Sequence, residues 1–251
     1  MYGKILVLQG LVKQKMKLIF ENWRKYLNES VDPRIQKRVD IVLGKSPMPE
    51  SEAPLDDVVI MIEREGPATV EFYYAHHNKE TGEIKDLGWE PAAGWEQDNY
   101  GSYPWGSIKI VKKRIRGSCL DGWAVELTSA RRGFGPLLYD VAMEWASQEE
   151  NGFGLMSDRR TVSAEATKVW EAYLNDRSDV EVHQLDTLTT DPDRGIERIT
   201  PDDPKDDCFQ TKAIKVGNEK WHETPYAKLY RKANKSVMDA LGDKLIYETN
   251  P

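Results

Sequence analysis

The sequence predicts an α/β fold in which strands and amphipathic helices alternate. Two observations support this prediction. Runs of β-branched and aromatic residues lie between 57 and 127, and from Pro136 onward the hydrophobic period changes to that of a helix. Segments with the pattern of helix, strand, helix and strand then follow one another, which is the order expected of a layered α/β domain.

The length and composition of the chain limit its class. Its 251 residues are enough for one large domain, or for a domain with substantial extensions. The formal net charge of −7 provides no overall attraction for nucleic acid. Two cysteines are too few for a disulfide framework and favour a reduced, intracellular setting. The sequence has no apolar run of about 18 residues, so we expect no membrane span and no membrane partner.

The first 55 residues predict an extension to the main domain. Apolar residues at helical spacing predict a short amphipathic helix over 17–29. The polar, proline-rich stretch 44–57 predicts a connector. We therefore assign residues 1–55 to an N-terminal helical extension with its connector, and residues 56–251 to the main domain.

The first half of the main domain predicts four strands. Runs rich in β-forming residues place them at 57–63, 69–77, 107–115 and 123–127. The last two strands are close enough in sequence to form a hairpin. A long segment, 78–106, separates the second strand from the third, and its many aromatic residues argue against disorder.

The second half predicts helices with strands between them. Pro136 opens the first helix, at a position where its missing amide hydrogen costs nothing. Ser163 is the candidate N-cap of the second helix. We expect strands at 153–157 and 179–185, and a final helix in the pattern of residues 226–246.

The turn before Pro136 has the composition of an anion-binding site. It reads Arg131, Arg132, Gly133, Phe134, Gly135 and Pro136. Unpaired amides at a helix N-terminus carry partial positive charge, and glycines let the backbone approach a phosphate closely. The third glycine of the dinucleotide fingerprint and the lysine of the nucleotide P-loop are absent. The turn therefore either binds a pyrophosphate-bearing ligand or only connects a strand to a helix.

The order strand, glycine turn, helix, strand, Ser-capped helix and strand over residues 107–186 resembles the core of the GNAT family of N-acetyltransferases. The family's loop pattern is Gln or Arg, two residues, Gly, any residue, then Gly or Ala. This chain reads Ala-Arg-Arg-Gly-Phe-Gly over 130–135, so both glycines match and Ala130 replaces the leading basic residue. The resemblance implies a central, mostly antiparallel mixed sheet flanked by helices, and acetyl-coenzyme A as the acyl donor.

The resemblance also implies which residues hold this donor. In the family, a splayed strand exposes its backbone to the acyl group and the glycine turn surrounds the pyrophosphate. The implied cofactor-binding residues are Val125, Leu127, Thr128, Ser129, Arg131, Arg132, Gly133, Phe134, Gly135, Pro136, Leu137, Ser163 and Trp170. Amides of the strand would polarise the thioester carbonyl, as an oxyanion hole does.

Catalytic roles follow from the same resemblance. The family motif of Asn, Ala three residues later and Tyr four residues after that corresponds here to Ser163, Ala166 and Trp170. The family tyrosine often protonates the leaving thiolate, which an indole cannot do, so Tyr173 is the implied general acid. Glu126 is the implied base for the acceptor amine. Further candidate bases are His76, His77 and Asp158. Each of these side chains also fits a purely structural role.

The predicted function is transfer of an acetyl group from acetyl-coenzyme A to an amine of a protein or small molecule, with no metal ion. Residues 132–140 and 155–175 also look like stretches of acetyltransferase-like proteins of tailed bacteriophages, which implies the cytoplasm of a host or a place in the virion. One alternative is a catalytically inactive binding or phage structural module, which Ala130 and Trp170 favour. Another is a nucleic-acid binder using 109–132, which the net charge disfavours. The oligomeric state stays open.

Overall fold

The computed structural model describes residues 31–46, 58–86, 105–112, 122–130, 133–158, 161–188, 207–209 and 223–249. The chain divides into two compact units, residues 1–31 and residues 32–251. The helix predicted at 17–29 lies outside the described residues. Helix Pro33–Val42, which lies within the N-terminal extension assigned from the sequence, belongs to the larger unit.

The larger unit is an α/β domain. Its described helices are α1 (Pro33–Val42), α2 (Gly135–Ala146), α3 (Ala164–Asn175) and α4 (Ser236–Leu241). Its described strands are β1 (Val58–Arg64), β2 (Thr69–His77), β3 (Ile84–Asp86), β4 (Gly106–Val111), β5 (Trp123–Ala130), β6 (Leu155–Met156), β7 (Glu181–Gln184), β8 (Asp186–Leu188), β9 (Asp207–Phe209), β10 (Lys228–Arg231) and β11 (Leu245–Thr249). No helix that the structure describes combines the length and the apolar character needed to cross a membrane.

Nine of the strands form one mixed sheet. Eight run in the order β11-β1-β2-β4-β5-β6-β10-β7, and β3 pairs with the end of β2. Among the described strand pairs of this nine-stranded sheet, only β1–β11 and β5–β6 are parallel, and the others are antiparallel. The expectation of a mostly antiparallel mixed sheet with flanking helices is confirmed, as is the antiparallel pairing of β4 with β5. Strands β8 and β9 form a separate two-stranded sheet.

Two helix starts follow the local sequence signals. The Ser163 hydroxyl accepts a hydrogen bond of 3.1 Å from the amide of Ala166, which confirms the predicted N-cap of α3. Helix α2 begins at Gly135, and Pro136 lies in its first turn as predicted.

The prediction of a helix over 226–246 is wrong. This stretch contains a short 3₁₀ turn, strand β10, the six-residue helix α4, a second 3₁₀ turn and the start of β11. Strand β10 pairs with β6 on one side and β7 on the other, and Leu229 and Tyr230 are fully buried there. Pairing with two strands distant in sequence overrides the local helical pattern.

Aromatic side chains fix α2 against the sheet. Trp145 packs edge-on against Phe72 and Trp123, with ring centroids 5.7 and 5.2 Å apart. Phe134, just before the helix, packs against Trp105 at 4.9 Å and Tyr74 at 5.7 Å. Both ends of α2 are therefore held by the core, and so is the glycine turn that precedes it.

A buried ionic network holds α2 from its other side. Asp140 is 0% and Glu144 1% exposed, and both carboxylates lie on α2. Arg177 donates two bonds of 3.1 Å to Asp140, and Lys232 donates one of 2.6 Å to Glu144. Asp179 connects the two cations, at 2.7 Å from Arg177 and 3.3 Å from Lys232. The network joins α2 to the segments that follow α3 and β10.

We expect the stability of the protein to fall in acid partly through Asp179. Burial is the largest single influence and raises the pKa of this carboxyl, but the bonds from Arg177 and the charges of Lys232 and Arg177 together outweigh burial and bring the pKa to about 2. Because the folded pKa lies below the unfolded one, the contribution is complete above about pH 4 and is lost as the pH falls toward 2.

The substitution Asp179→Asn should therefore lower the free energy of unfolding by less at low pH than at higher pH. The difference in unfolding free energy from the unsubstituted protein should shrink by about 1–2 kcal/mol between about pH 5 and about pH 2, allowing for partial hydration of the pair. Urea unfolding at both pH values measures this difference. Asp243→Asn, an exposed carboxyl, is the control. If the difference in unfolding free energy between Asp179→Asn and the unsubstituted protein does not change with pH, the lowered pKa of Asp179 does not contribute to stability.

Candidate functional site

Strand β5 has an open edge. It pairs with β4 along its length, but with β6 only at Trp123 and Ala124. From Glu126 to Ala130, β5 has no strand partner on its β6 side within the described part of the chain. We call residues 126–130 the open edge of β5. Backbone groups of an open edge can bond to an extended ligand as they would to another strand.

A β-bulge lies where this open edge begins. Val125 pairs with Ile110 and Leu127 pairs with Lys109, so Glu126 is the extra residue. A bulge bends and twists its strand, which accounts for the loss of pairing with β6 at this point. It also breaks the alternation of faces, since Glu126 and Leu127 are both exposed, Leu127 by 49%.

The bulge places Glu126 near a cation on the neighbouring strand. The ammonium of Lys109 bonds to Glu65 at 2.6 Å. This bond, with smaller contributions from the charges of Glu71 and Glu126, raises the pKa of Lys109. Glu126 is therefore an exposed carboxylate at the edge of the open strand, with a lysine within electrostatic reach.

The glycine turn (Gly133–Pro136) comes next in the described part of the chain, three residues after the end of the open edge at Ala130. Gly133 has a φ of +91°, in the left-handed region that favours glycine. Phe134 is the N-cap residue of α2, and no side chain caps this helix end. Its ring lies in the core, and its carbonyl accepts a bond of 3.1 Å from the Tyr74 hydroxyl. The turn is thus rigidly held, while its N-cap residue provides no side-chain acceptor for the helix-end amides.

A pair of bonded hydroxyl groups includes a residue of the open edge, and a carboxylate lies within electrostatic reach of the pair. The Thr128 hydroxyl on β5 donates to the Tyr139 hydroxyl on α2 at 3.3 Å. Burial raises the pKa of Tyr139, the bond from Thr128 lowers it, and the nearby charge of Asp158 raises it again. Asp158 follows β6 and accepts bonds of 3.2 and 3.4 Å from Thr161. We refer to Thr128, Tyr139 and Asp158 as the hydroxyl cluster.

No family model, no curated protein and no solved structure matches the chain. The function is therefore inferred from the site itself, and the chemistry of the open edge, the glycine turn and the hydroxyl cluster carries that inference.

The structure places Tyr173 away from this site. The side chain is 2% exposed, and its hydroxyl donates to Asp140 at 3.4 Å. Burial, followed by the charge of Asp140, raises its pKa well above the ordinary value. We therefore correct the expectation that Tyr173 is the general acid, because its hydroxyl bonds into the ionic network rather than toward the open edge of β5.

Trp170 is also a core residue. It is 1% exposed, and its ring lies edge-on to that of Tyr139 at 5.3 Å. Its indole therefore supports the ring of Tyr139 from behind. Sequence reasoning missed Tyr139, although a tyrosine in an otherwise apolar first turn of α2, just after the glycine turn, was a usable signal.

The remaining predicted residues divide into four groups. Val125 and the side chain of Leu137 are buried, and Ser129 pairs with Ser107 on β4. The Ser163 hydroxyl is engaged as a helix cap. His76 and His77 lie on β2, two strands away from β5. Arg131 and Arg132 lie outside the described residues.

Proposed function

We propose that this protein is a GNAT-like N-acetyltransferase, which transfers an acetyl group from acetyl-coenzyme A to an amine. The observation that carries the proposal is the order in the chain of an open strand edge with a bulge, a rigid glycine turn and a helix end whose N-cap residue makes no side-chain bond. These features offer backbone donors for a carbonyl in residues 126–130 and for a diphosphate in residues 133–137.

The glycine turn suits the diphosphate of the donor. The N-cap residue of α2 provides no side-chain acceptor for the first amides of the helix, and the helix dipole adds positive potential there. The left-handed Gly133 has no side chain to keep a phosphate away from the backbone. The residues present therefore fit the anionic part of coenzyme A.

The open edge suits the acyl end of the donor. An extended pantetheine arm bonds to Glu126–Ala130 as a neighbouring strand would. Amides of this segment polarise the thioester carbonyl where the bulge turns them away from β4. Catalysis rests mainly on holding the amine against this carbonyl.

Three proton transfers complete the reaction. The protonated amine loses one proton before its nitrogen bonds to the carbonyl carbon, and the nitrogen loses a second proton once that bond has formed. We assign both to the carboxylates of Glu126, which is exposed, and Asp158, which is partly buried. The carbon–sulfur bond then breaks, and the thiolate takes a proton from the Tyr139 hydroxyl. Because that hydroxyl already accepts the bond from Thr128, its own hydrogen is available to donate.

A second candidate function keeps the fold and omits the chemistry. Ala130 and Trp170 depart from the family pattern at the anion loop and at the usual acid, which supports a binding module or a phage structural component, in the host cytoplasm or in the virion. Calorimetric titration with acetyl-coenzyme A, followed by thioester loss on a panel of amines, separates the two. Binding with amine-dependent turnover supports the enzyme, whereas no binding at millimolar donor rejects it.

Gly133→Ala should weaken donor binding by about tenfold or more. An alanine at φ +91° carries about 1–2 kcal/mol of strain, and its Cβ would lie 2.6 Å from a guanidinium nitrogen of Arg38, so the turn must change shape. Gly66→Ala is the matched control, because Gly66 has a φ of +98° with no atom within 4 Å of the added Cβ. Titration of both variants with acetyl-coenzyme A tests this prediction. Equal losses of donor affinity in the two variants would contradict a role for the turn in donor binding.

A further inference from the structure

We propose that Arg38, on α1, is the cationic ligand of the phosphate groups that the glycine turn binds. This inference rests on the proposed function and adds a charged residue to its site. Arg38 is more than 90 residues before the turn in sequence, and no local motif connects the two.

The guanidinium of Arg38 lies against the glycine turn. Its Nη2 atom is 2.6 Å, and its Cζ atom 3.0 Å, from the position that a Cβ on Gly133 would occupy. The Cζ atom also lies 5.8 Å from the centroid of the Phe134 ring. Buried side chains of α1, among them Ile35 and Val39, anchor the helix that carries it. The absence of a side chain at Gly133 is therefore what admits the guanidinium to the turn.

Arg38 has no carboxylate partner within ion-pair distance in the part of the chain that the structure describes. Two other arginines, in contrast, each pair with carboxylates. Arg34 pairs with Asp32 at 3.0 Å, and Arg177 pairs with Asp140 and Asp179. Arg38 instead lies beside Gly133, in the turn that leads into α2, and the N-cap residue Phe134 makes no side-chain bond to the amides of that helix end. Two sources of positive potential that face one another without an anion are more stable once an anion binds between them.

The alanine at position 130 helps to explain why the guanidinium of Arg38 lies at the glycine turn. The resemblance puts a basic residue at this position, which would lie at the end of β5. Here Ala130 packs so closely on β4 that a Cβ added to Gly106 would lie 2.4 Å from its Cα. In addition to Arg131 and Arg132, which the resemblance assigns to the donor site, the chain provides a charge from α1, where the long side chain of Arg38 reaches the turn from outside the strand.

Full-length variants and three donors test this assignment. Arg38→Gln should weaken binding of acetyl-coenzyme A about tenfold, because a charge-assisted bond is lost. The loss should be the same for the 3′-dephospho donor, which retains the diphosphate. Arg38→Lys should recover part of the affinity, since it keeps the charge. Lys37→Gln, an exposed neighbour on α1 with the same change of charge, should bind like the unsubstituted protein.

S-acetylpantetheine, which has no diphosphate, separates a ligand from a structural residue. Turnover of this donor should be the same with Arg38→Gln as without it, whereas a merely structural role would lower turnover of every donor. Equal affinity of Arg38→Gln and the unsubstituted protein for acetyl-coenzyme A would overturn the inference and leave the proposed function intact. If the unsubstituted protein does not bind acetyl-coenzyme A, the proposed function fails, and this inference fails with it.

Discussion

Lys232→Met should lower the free energy of unfolding by about 3–5 kcal/mol. Lys232 is buried and donates to Glu144 at 2.6 Å, with Asp179 at 3.3 Å. The network holds the carboxylates of Asp140, Glu144 and Asp179 against two cations. Removing Lys232 leaves these three carboxylates with Arg177 as the remaining cation of the network. Burial already raises the pKa of Glu144, and Lys232 is the main influence that lowers it.

Urea unfolding of Lys232→Met measures this cost. Lys235→Met, an exposed lysine three residues later, should change stability by less than about 0.5 kcal/mol. Adding Glu144→Gln to Lys232→Met should recover part of the loss, because a buried carboxylate then no longer lacks its cation. If Lys232→Met costs no more than Lys235→Met, the network does not stabilise α2 as argued.

Tyr139→Phe should lower kcat about 100-fold with little change in the affinity for acetyl-coenzyme A. This prediction depends on the proposed function. The substitution removes one hydroxyl from the hydroxyl cluster and keeps the ring that packs against Trp170. The leaving thiolate then has no phenol from which to take a proton.

Two comparisons make this result specific. Tyr173→Phe also removes one buried hydroxyl, but that hydroxyl bonds to Asp140, so we expect a small loss of stability and an unchanged kcat. An aryl thioester donor, whose thiolate leaves without protonation, should restore most of the rate of Tyr139→Phe. A large loss of kcat in Tyr173→Phe, or none in Tyr139→Phe, would show that the acid is assigned to the wrong tyrosine.

The candidate site was only partly visible in the sequence. Gly133 and Gly135 marked the turn, and Leu127 and Thr128 marked the strand beside it. The residues that complete the site were not visible, because Arg38 reaches the turn from a distant helix and Tyr139 is oriented by its contact with Trp170. Tyr173 illustrates the opposite error, since helical spacing alone could not reveal that its hydroxyl bonds to a buried carboxylate.

The sequence by itself determined what depends on a few neighbouring residues. The cap at Ser163, the start of α2 near Pro136 and the β4–β5 pair follow from side-chain bonds, fixed dihedral angles and short connections. Tertiary structure alone decided the bulge at Glu126, the open edge of β5 and the strand at Lys228–Arg231. These features depend on which distant strands pair and which charges are buried together, and the free energies involved exceed any local preference.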